Sequence, residues 1–242
     1  MKYRMTDETM KHKGVLLRRI ECVKAFGNIK VGEKGGWIES EANLSHKGMA
    51  WVADNALVYG NALVCGDAFV YNNALVCGDA EVCDDAKVYG SAKVYGSAKV
   101  CGKAKVCDKV KVYDSAKVYD SAVVYGSAEV YGSAEVCGSA EVCGKAKVCG
   151  KAKVCDKAGL CGDAEVQEDA DYIVFKNNFS FIRHFTWTRS NNKWRVGYFY
   201  GTGEELIAKA RKDSEEKARC YELYVRLVED LEKVRQGKKQ KD

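Results

Sequence analysis

Along the middle of the chain an apolar position recurs every six residues. From Val52 to Val166 this register contains 20 consecutive positions, of which 19 are valine and one is Leu160. Two residues before each position there is an alanine, except where Val110 replaces it. Because successive side chains of an extended chain point to opposite sides, the alanine and valine of one unit share a face. The unit Ala-x-Val-(Tyr/Cys)-(Gly/Asp)-x therefore predicts a short strand followed by a tight turn.

A spacing of six residues excludes an α-helix in this region. On a helix of 3.6 residues per turn, residues six apart point in different directions, so the valines would not form one apolar face. Valine is also a poor helix former. One turn type after every strand favours a coil that always bends in the same direction, with three units closing a triangular coil. With strands about 4.8 Å apart, the units predict about 6–7 coils in a rod roughly 32 Å long. The predicted fold class is mainly β, a parallel β-helix.

The repeat resembles that of the hexapeptide-repeat proteins. A typical unit is Ala-Lys-Val-Tyr-Gly-Ser, which begins at Ala92, and the resemblance covers residues 51–171. It implies a left-handed parallel β-helix with alanine and valine inside. It implies little about activity, because the repeat is a scaffold on which different functions are built.

The repeat divides the chain into three parts. Residues 1–50 are predicted to form a small N-terminal β-rich cap, because a solenoid exposes its core at both ends and needs caps. Residues 51–171 are the solenoid, and residues 172–242 are predicted to form a C-terminal α+β (ββαα) domain. The predicted elements outside the solenoid are a strand at Val15–Ile20, a strand at Tyr172–Phe175, a hairpin of Arg183–Arg189 and Lys193–Tyr200, a helix from Thr202 to Lys212, a helix from Asp213 to Arg235 and a disordered tail at Lys238–Lys241.

The residue after each valine is tyrosine or cysteine through most of the repeat. These two side chains differ too much in volume to alternate in a close-packed interior, so we expect this position to face outward or toward the corner. Equivalent residues of successive coils, three units apart, then stack in columns, which we interpret as surface stabilisation. The alternative is a binding face that includes Tyr89 and Tyr95, since tyrosine is enriched at interfaces.

The cysteines allow two interpretations. Cysteines three units apart in one column lie close enough for a disulfide, as for Cys65 with Cys83 and for Cys137 with Cys155. The first residues of the chain contain no apolar stretch typical of a signal peptide, so we expect a cytoplasmic protein with reduced thiols. A linear row of thiols does not build a tetrahedral site, so we predict neither a metal nor another cofactor.

Lysine dominates the outward position before the valine in the central units. Stacking of each coil on the next places like charges together there, which indicates either a solvated face or a surface for an anion or nucleic acid. The solenoid carries 13 lysines and 18 acidic residues, so general DNA binding is not expected. The candidate binding lysines are Lys93, Lys99, Lys105, Lys111 and Lys117.

The first coils carry apolar residues at the same outward position. A row of exposed apolar side chains needs a cover. We expect the N-terminal segment or a second subunit to supply it, and a homo-oligomeric trimer or dimer is one such arrangement. The residues are Leu57, Leu63, Phe69 and Leu75.

Basic and aromatic residues alternate in the predicted C-terminal hairpin. Such a mixture resembles a surface that stacks on bases and contacts phosphates. The alternative is a half-buried hairpin, with the aromatic residues on the helices and the basic ones in solvent. The candidate residues are Arg183, Trp187, Arg189, Trp194 and Arg195.

The sequence favours a protein that is not an enzyme. Many left-handed β-helix proteins are acyltransferases that need a general-base histidine, or carbonic anhydrases that need three histidine ligands. The chain has three histidines, His12, His46 and His184, and none lies in residues 51–171. No phosphate-binding loop or nucleophile-elbow motif is present. We therefore expect no catalytic residues, with an acyltransferase-like enzyme as the alternative.

Motifs at both ends also resemble a group of uncharacterised β-solenoid proteins encoded by phages and prophages of gut bacteria. The matching segments are Tyr3–Thr9, Gly36–Ser45 and Phe185–Leu206, together with the repeat. The resemblance implies a phage accessory protein, and we expect a non-catalytic scaffold that binds and blocks a host defence protein or its nucleotide signal. The expected partner is a host protein or a small anionic ligand, without membrane contact. A structural component of the virion or its assembly is a further alternative.

Overall fold

The computed structural model of the chain describes residues 1–177 and 183–239. It contains a parallel β-solenoid of about 7 turns, followed by an antiparallel sheet and two helices. This architecture confirms the predicted fold class. No helix among the described residues combines the length and apolar composition needed to cross a membrane.

The N-terminal segment folds as three strands that continue one side of the solenoid. β1 (Tyr3–His12) and β2 (Val15–Cys22) form an antiparallel hairpin, and β2 pairs antiparallel with β3 (Lys34–Ile38). The strand predicted in this segment is confirmed as β2. The buried Tyr3 donates its hydroxyl to the carbonyl of Leu44 at 2.7 Å, which ties the hairpin to the first coil.

Each unit of the repeat contributes one strand of two residues, the outward residue and the inward valine that follows it. A 3-10 turn (Glu41–Asn43) precedes these strands. The strands are β4 (Trp51–Val52), β5 (Leu57–Val58), β6 (Leu63–Val64), β7 (Phe69–Val70), β8 (Leu75–Val76), β9 (Glu81–Val82), β10 (Lys87–Val88), β11 (Lys93–Val94), β12 (Lys99–Val100), β13 (Lys105–Val106), β14 (Lys111–Val112), β15 (Lys117–Val118), β16 (Val123–Val124), β17 (Glu129–Val130), β18 (Glu135–Val136), β19 (Glu141–Val142), β20 (Lys147–Val148), β21 (Lys153–Val154), β22 (Gly159–Leu160) and β23 (Glu165–Val166).

Strands three units apart pair in parallel and form three walls. Val94, for example, pairs with Val76 in the preceding coil and with Val112 in the following one. The predicted stacking of every third unit is therefore confirmed. Wall I contains β3, β5, β8, β11, β14, β17, β20 and β23, wall II contains β4, β7, β10, β13, β16, β19 and β22, and wall III contains β6, β9, β12, β15, β18 and β21.

The interior of the solenoid consists of the alanines and valines of the repeat. From Ala50 to Val166 every alanine and valine of the register, and Leu160, is buried, with an exposed fraction of at most 1%. These small residues suit a narrow interior in which each side chain packs on its equivalents one coil away. The predicted inward face is confirmed.

The turns explain the choice between glycine and aspartate at the corner after each Tyr or Cys. Gly96 has φ 69° and Asp114 has φ 58°, a left-handed conformation that glycine adopts freely and aspartate tolerates. A side chain on Gly96 would have its Cβ 2.9 Å from the amide nitrogen of Asp114. The Asp114 carboxylate accepts a hydrogen bond from the amide of Gly132, one coil further on. An aspartate at this corner therefore links its coil to the next one.

The solenoid begins before the boundary predicted at residue 51. Ile38 pairs with Val58, and Leu44 forms a parallel bridge with Val64, so both occupy inward positions of a first coil. This coil is longer than the others because two extra residues precede Val52. The segment predicted as a cap therefore supplies the first coil and the hairpin that closes it.

The C-terminal part is the predicted α+β domain, an antiparallel sheet followed by two helices, and its sheet has four strands. Gly197, with φ 58°, turns the chain and splits the strand predicted at Lys193–Tyr200 into two. The capping box at Thr202 is confirmed. The elements are a 3-10 turn (Asp169–Asp171), β24 (Tyr172–Asn177), β25 (Arg183–Thr188), β26 (Lys193–Val196), β27 (Phe199–Gly201), α1 (Gly203–Asp213) and α2 (Glu215–Lys239).

The C-terminal tail differs in part from the predicted disorder at Lys238–Lys241. The backbone of Lys238 and Lys239 belongs to α2. The rest of that predicted segment lies outside the described residues.

Candidate functional site

The tyrosines and cysteines that follow the valines stack in columns along the walls of the solenoid, but their side chains are less exposed than predicted. Most of their tyrosines and cysteines are half-buried. Four cysteines of these columns are buried, which corrects the expectation that this position faces solvent throughout: Cys107, Cys137, Cys143 and Cys149. The cause is the stacking itself, because each side chain covers its neighbour one coil away.

Two cysteine pairs in these columns are bonded. Cys137 pairs with Cys155 and Cys143 pairs with Cys161, each with 4.7 Å between the Cα atoms. The expectation of uniformly reduced thiols is therefore wrong for these pairs. Parallel pairing in register brings the two Cα atoms inside the range that a disulfide requires.

The tyrosines predicted as candidates belong to two different columns. Tyr89 stacks on Tyr71 with 4.8 Å between ring centroids, and Tyr95 stacks on Tyr113 at 5.0 Å. A hydrogen bond with Cys107, together with burial, raises the pKa of Tyr89 to about 12. These rings stabilise the stack of coils by about 0.5–1.5 kcal/mol per pair.

The five candidate lysines are not brought together. Lys93 and Lys111 lie on wall I, Lys105 on wall II, and Lys99 and Lys117 on wall III. Neighbouring units of the repeat belong to different walls, so a run of lysines in the sequence becomes a belt around the rod. The belt divides its charge among three surfaces and forms no single basic patch.

Three of these lysines are engaged in ion pairs with acidic residues one coil away. Such exposed pairs contribute about 0–1 kcal/mol each. The contacts are Lys99 with Glu81 at 2.9 Å, Lys111 with Glu129 at 2.8 Å and Lys117 with Glu135 at 3.2 Å. Within the described chain, Lys93 and Lys105 have no ion pair.

The apolar row of the first coils is half-buried, with the N-terminal segment beside it. Leu57 and Leu75 on wall I line an open groove with His12, at the end of β1. Phe69 on wall II lines another groove with Phe26. The N-terminal segment therefore supplies part of the predicted cover.

The two candidate tryptophans belong to a second hydrophobic core. Trp187 and Trp194 are 3% and 2% exposed and lie among buried residues of α1 and α2. The Trp187 indole nitrogen donates to the side-chain oxygen of Asn192 at 2.8 Å. Buried rings are not available for stacking on a base, so the alternative prediction, that the aromatic residues pack on the helices, holds for these two residues.

Arg189 is held within the chain and not directed at a ligand. Its guanidinium forms ion pairs with Asp171 at 2.8 Å and with Glu232 at 2.9 Å. These pairs connect the end of β25 with the end of the solenoid and with α2. Its predicted role in binding is therefore replaced by one in attaching the C-terminal domain.

The C-terminal sheet docks on wall II where the repeat is irregular. Gly159 stands at the position that Glu141 occupies one coil earlier, and a Cβ on it would lie 2.6 Å from Cδ of Arg195. The Gly159 amide donates to the hydroxyl of Thr186 at 2.9 Å. The Arg195 guanidinium crosses this gap and forms an ion pair with Glu141. The glycine therefore makes room for the domain to approach the rod.

The variant Gly159→Glu places at this position the residue that Glu141 supplies one coil earlier. We expect it to weaken the contact between the C-terminal sheet and wall II. The new side chain overlaps Arg195, and overpacking of this kind costs about 1–3 kcal/mol. Hydrogen exchange of β25 measures the effect, with Val123→Glu on the same wall as the control. Equal protection of β25 in both variants would contradict the assigned role of Gly159.

The docking leaves an open cleft of about 610 Å³ between wall II and the C-terminal sheet. We call it the junction cleft and define it by Lys157, Arg183, His184, Arg195 and Tyr198. Arg183 is exposed, and the Tyr198 side chain is fully exposed. Two of the candidate residues, Arg183 and Arg195, therefore meet here. The acidic residue of the lining is Glu141, which Arg195 already neutralises.

His184, in the lining of the cleft, has a lowered pKa. Burial lowers the pKa of His184, and the charges of Lys157 and Lys176 lower it further, against the opposing charge of Asp156. The imidazole is therefore neutral near pH 7. A bound anion would favour its protonated form, because opposite charges stabilise each other.

This lowered pKa predicts a loss of stability in acid. Protonation of His184 costs more in the folded state than in the unfolded one, so its contribution is present above pH 6.5 and is lost as the pH falls through the lowered value. We expect His184→Gln to lose less thermal stability than the wild type between pH 7.5 and 5. The pKa of His46 is also lowered, mainly by burial, so His46→Gln must be measured separately. An identical acid profile for His184→Gln would contradict this prediction.

Lys157, His184 and Tyr198 were not in the set of candidate binding residues, although Tyr198 is one of the aromatic residues of the predicted hairpin. Lys157 belongs to the repeat and the other two to the C-terminal domain, so their proximity depends on the docking. The signal in the sequence is the glycine at residue 159, where the other strands of the repeat carry a larger residue. A comparison with protein-family models and a comparison with curated proteins find no match to the chain.

Proposed function

We propose that this chain is a non-catalytic binding protein that takes a small phosphate-bearing molecule, such as a nucleotide, in the junction cleft. The observation that supports this most is the convergence of Lys157, Arg183, His184 and Arg195 on one cleft. Arginine and lysine make strong charge-assisted hydrogen bonds to phosphate oxygens. The candidate lysines on the walls lack a comparable concave surface shared among them.

The ligand class follows from the size and chemistry of the cleft. A volume of about 610 Å³ lies within the usual range for small-molecule sites. Tyr198 offers a free aromatic face, and stacking of a base on such a ring contributes about 1–3 kcal/mol. A molecule with both a phosphate group and an aromatic base uses both features.

Sequestration of such a molecule is the biological role that we propose. The segments that resemble phage and prophage proteins of gut bacteria support a phage accessory protein. A phage-encoded protein that binds a nucleotide signal of its host would block the defence that depends on that signal. Binding alone is sufficient for this effect, so the role requires no catalysis.

Titration of the intact chain with three probes tests the ligand class. We expect ATP to bind more tightly than adenosine, which lacks phosphate, and than pyrophosphate, which lacks the base, by at least tenfold in each case. Affinity for ATP should fall as salt rises, because salt screens exposed charges. Calorimetry measures these affinities. Binding of adenosine as tight as that of ATP, or no binding of ATP at millimolar concentration, would contradict the proposal.

An acyltransferase-like enzyme is the second candidate, because His184 lies in the cleft and is neutral, as a general base must be. His46 is less suited, since its ring stacks on Tyr3 at 4.2 Å and accepts from the amide of Lys2. This candidate predicts turnover of an acyl donor that His184→Gln abolishes. Turnover that persists in this variant would exclude His184 as the base.

A further inference from the structure

One column on wall III brings cysteines and a carboxylate together away from the junction cleft. Cys83, Asp84 and Cys101 place one potential metal-ligating atom each within 4.8 Å of one another. The thiol of Cys83 is in hydrogen-bonding contact with the thiols of Cys65 and Cys101. The two cysteines are half-buried and Asp84 is exposed, so the cluster is accessible from solvent.

The position of Asp84 follows from its corner. Asp84 has φ 57°, and its Oδ2 accepts a hydrogen bond from the amide of Gly102 at 2.9 Å. The carboxylate therefore leans towards the coil that contains Cys101. Among the described residues, the other oxygen, Oδ1, has no hydrogen bond. The bonded pair Cys137 and Cys155 differs, because its aspartate follows the second cysteine.

The cluster has the ligand types of a thiophilic metal site. Two thiolates bound at about 2.3 Å in a tetrahedron lie about 3.8 Å apart. The ligand atoms lie within 4.8 Å of one another, so they need to approach by at most about one ångström. Cys65 and Cys101 are two coils apart, about 9.6 Å along the column, so they do not bind the same ion. An ion at this place would therefore have Cys83, Cys101 and Asp84 as ligands, with solvent at the fourth position.

The charges around the cluster also favour a cation. The carboxylates of Asp84 and Glu81 lie close enough to the Cys83 thiol to act on it electrostatically. Lys99 lies nearby, but it is paired with Glu81 at 2.9 Å. The negative charge of these carboxylates stabilises a divalent cation at the same place.

We propose that Cys83, Asp84 and Cys101, with reduced thiols, form a binding site for a thiophilic divalent ion of the zinc class. The two thiols release their protons to solvent when the ion binds, so the site carries two thiolates and one carboxylate. The site is independent of the junction cleft. A bound ion would link two adjacent coils through its ligands.

Titration with cobalt(II) alone, on the intact chain in a phosphine reductant without oxygen, tests this site. We expect one ion per chain with a thiolate-to-cobalt charge-transfer absorption that zinc(II) displaces. Cys83→Ser and Cys101→Ser should weaken binding by about 100-fold or more, beyond the 10- to 100-fold typical of outer-shell changes. No charge-transfer band in the wild type would overturn the proposal.

Three further variants make the result specific. Asp84→Asn should keep the fold, since Asn72 occupies the same kind of corner with φ 57°, and should weaken binding at least tenfold. Cys77→Ser, in another column, and Cys65→Ser should bind cobalt as the wild type does. Binding that survives Cys83→Ser unchanged, or that requires Cys65, would overturn the assigned ligand set. Circular dichroism of each variant confirms that the solenoid is retained.

Discussion

We expect that the Val94→Asp variant does not fold into the solenoid. Val94 is fully buried between Val76 and Val112. A carboxylate there has no partner among alanines and valines, and burying an unpaired charge costs several kcal/mol after relaxation. Domains of this kind are stable by only about 5–15 kcal/mol in total. We therefore expect Val94→Asp to lose the cooperative unfolding transition, measured by circular dichroism.

Lys93→Asp is the matched control for this prediction. Lys93 is the neighbouring residue of the same strand, but it is exposed and faces Lys111 across the ladder. Aspartate there replaces a like-charge pair with an opposite-charge pair, and the expected change in stability is within about 1 kcal/mol. Similar unfolding of both variants would contradict the inward assignment of Val94.

We expect reversal of two charges in the junction cleft to lower the affinity for ATP by at least 100-fold. Arg183 and Lys157 are the cations of the cleft without an ion pair among the described residues. A hydrogen bond to a charged group contributes about 1.5–3 kcal/mol, so loss of two with added repulsion exceeds a factor of 100. The variant combines Arg183→Glu with Lys157→Glu, and calorimetry measures the affinity.

The control variant makes the same change of charge on the solenoid walls. Lys93→Glu combined with Lys105→Glu removes two exposed lysines that lack ion pairs and lie outside the cleft. We expect its affinity for ATP to stay within about threefold of the wild type, because exposed charges beyond about 10 Å are screened at ordinary ionic strength. A larger loss in this control than in the cleft variant would place the ligand on the belt of lysines.

The solenoid was predictable because its contacts repeat with the sequence. Every inward valine contacts its equivalents one coil away, so a pattern visible in one unit determines the packing of all of them. Val94 and Ala92 could be assigned to the interior for this reason. The columns of Tyr and Cys followed from the same periodicity. Their partial burial did not, because it depends on how much one side chain covers the next.

The junction cleft was not predictable in the same way. Arg183 and Lys157 line one cleft only because the C-terminal sheet docks on wall II. This docking depends on the space above Gly159 and on the fit of Arg195 into that space. For the candidate lysines the prediction failed in the opposite way, because residues that were expected on one surface lie on three. They are close in sequence, but neighbouring units face different walls. Trp187 and Trp194 were correctly placed on strands, and only the position of the helices shows that they are buried.

A crystal structure of the chain with saturating ATP tests the proposed binding function most directly. The account predicts phosphate oxygens within hydrogen-bonding distance of Arg183 and Lys157 and an adenine ring on Tyr198. Nucleotide bound along the solenoid walls, or a junction cleft that remains unoccupied at saturation, would contradict it.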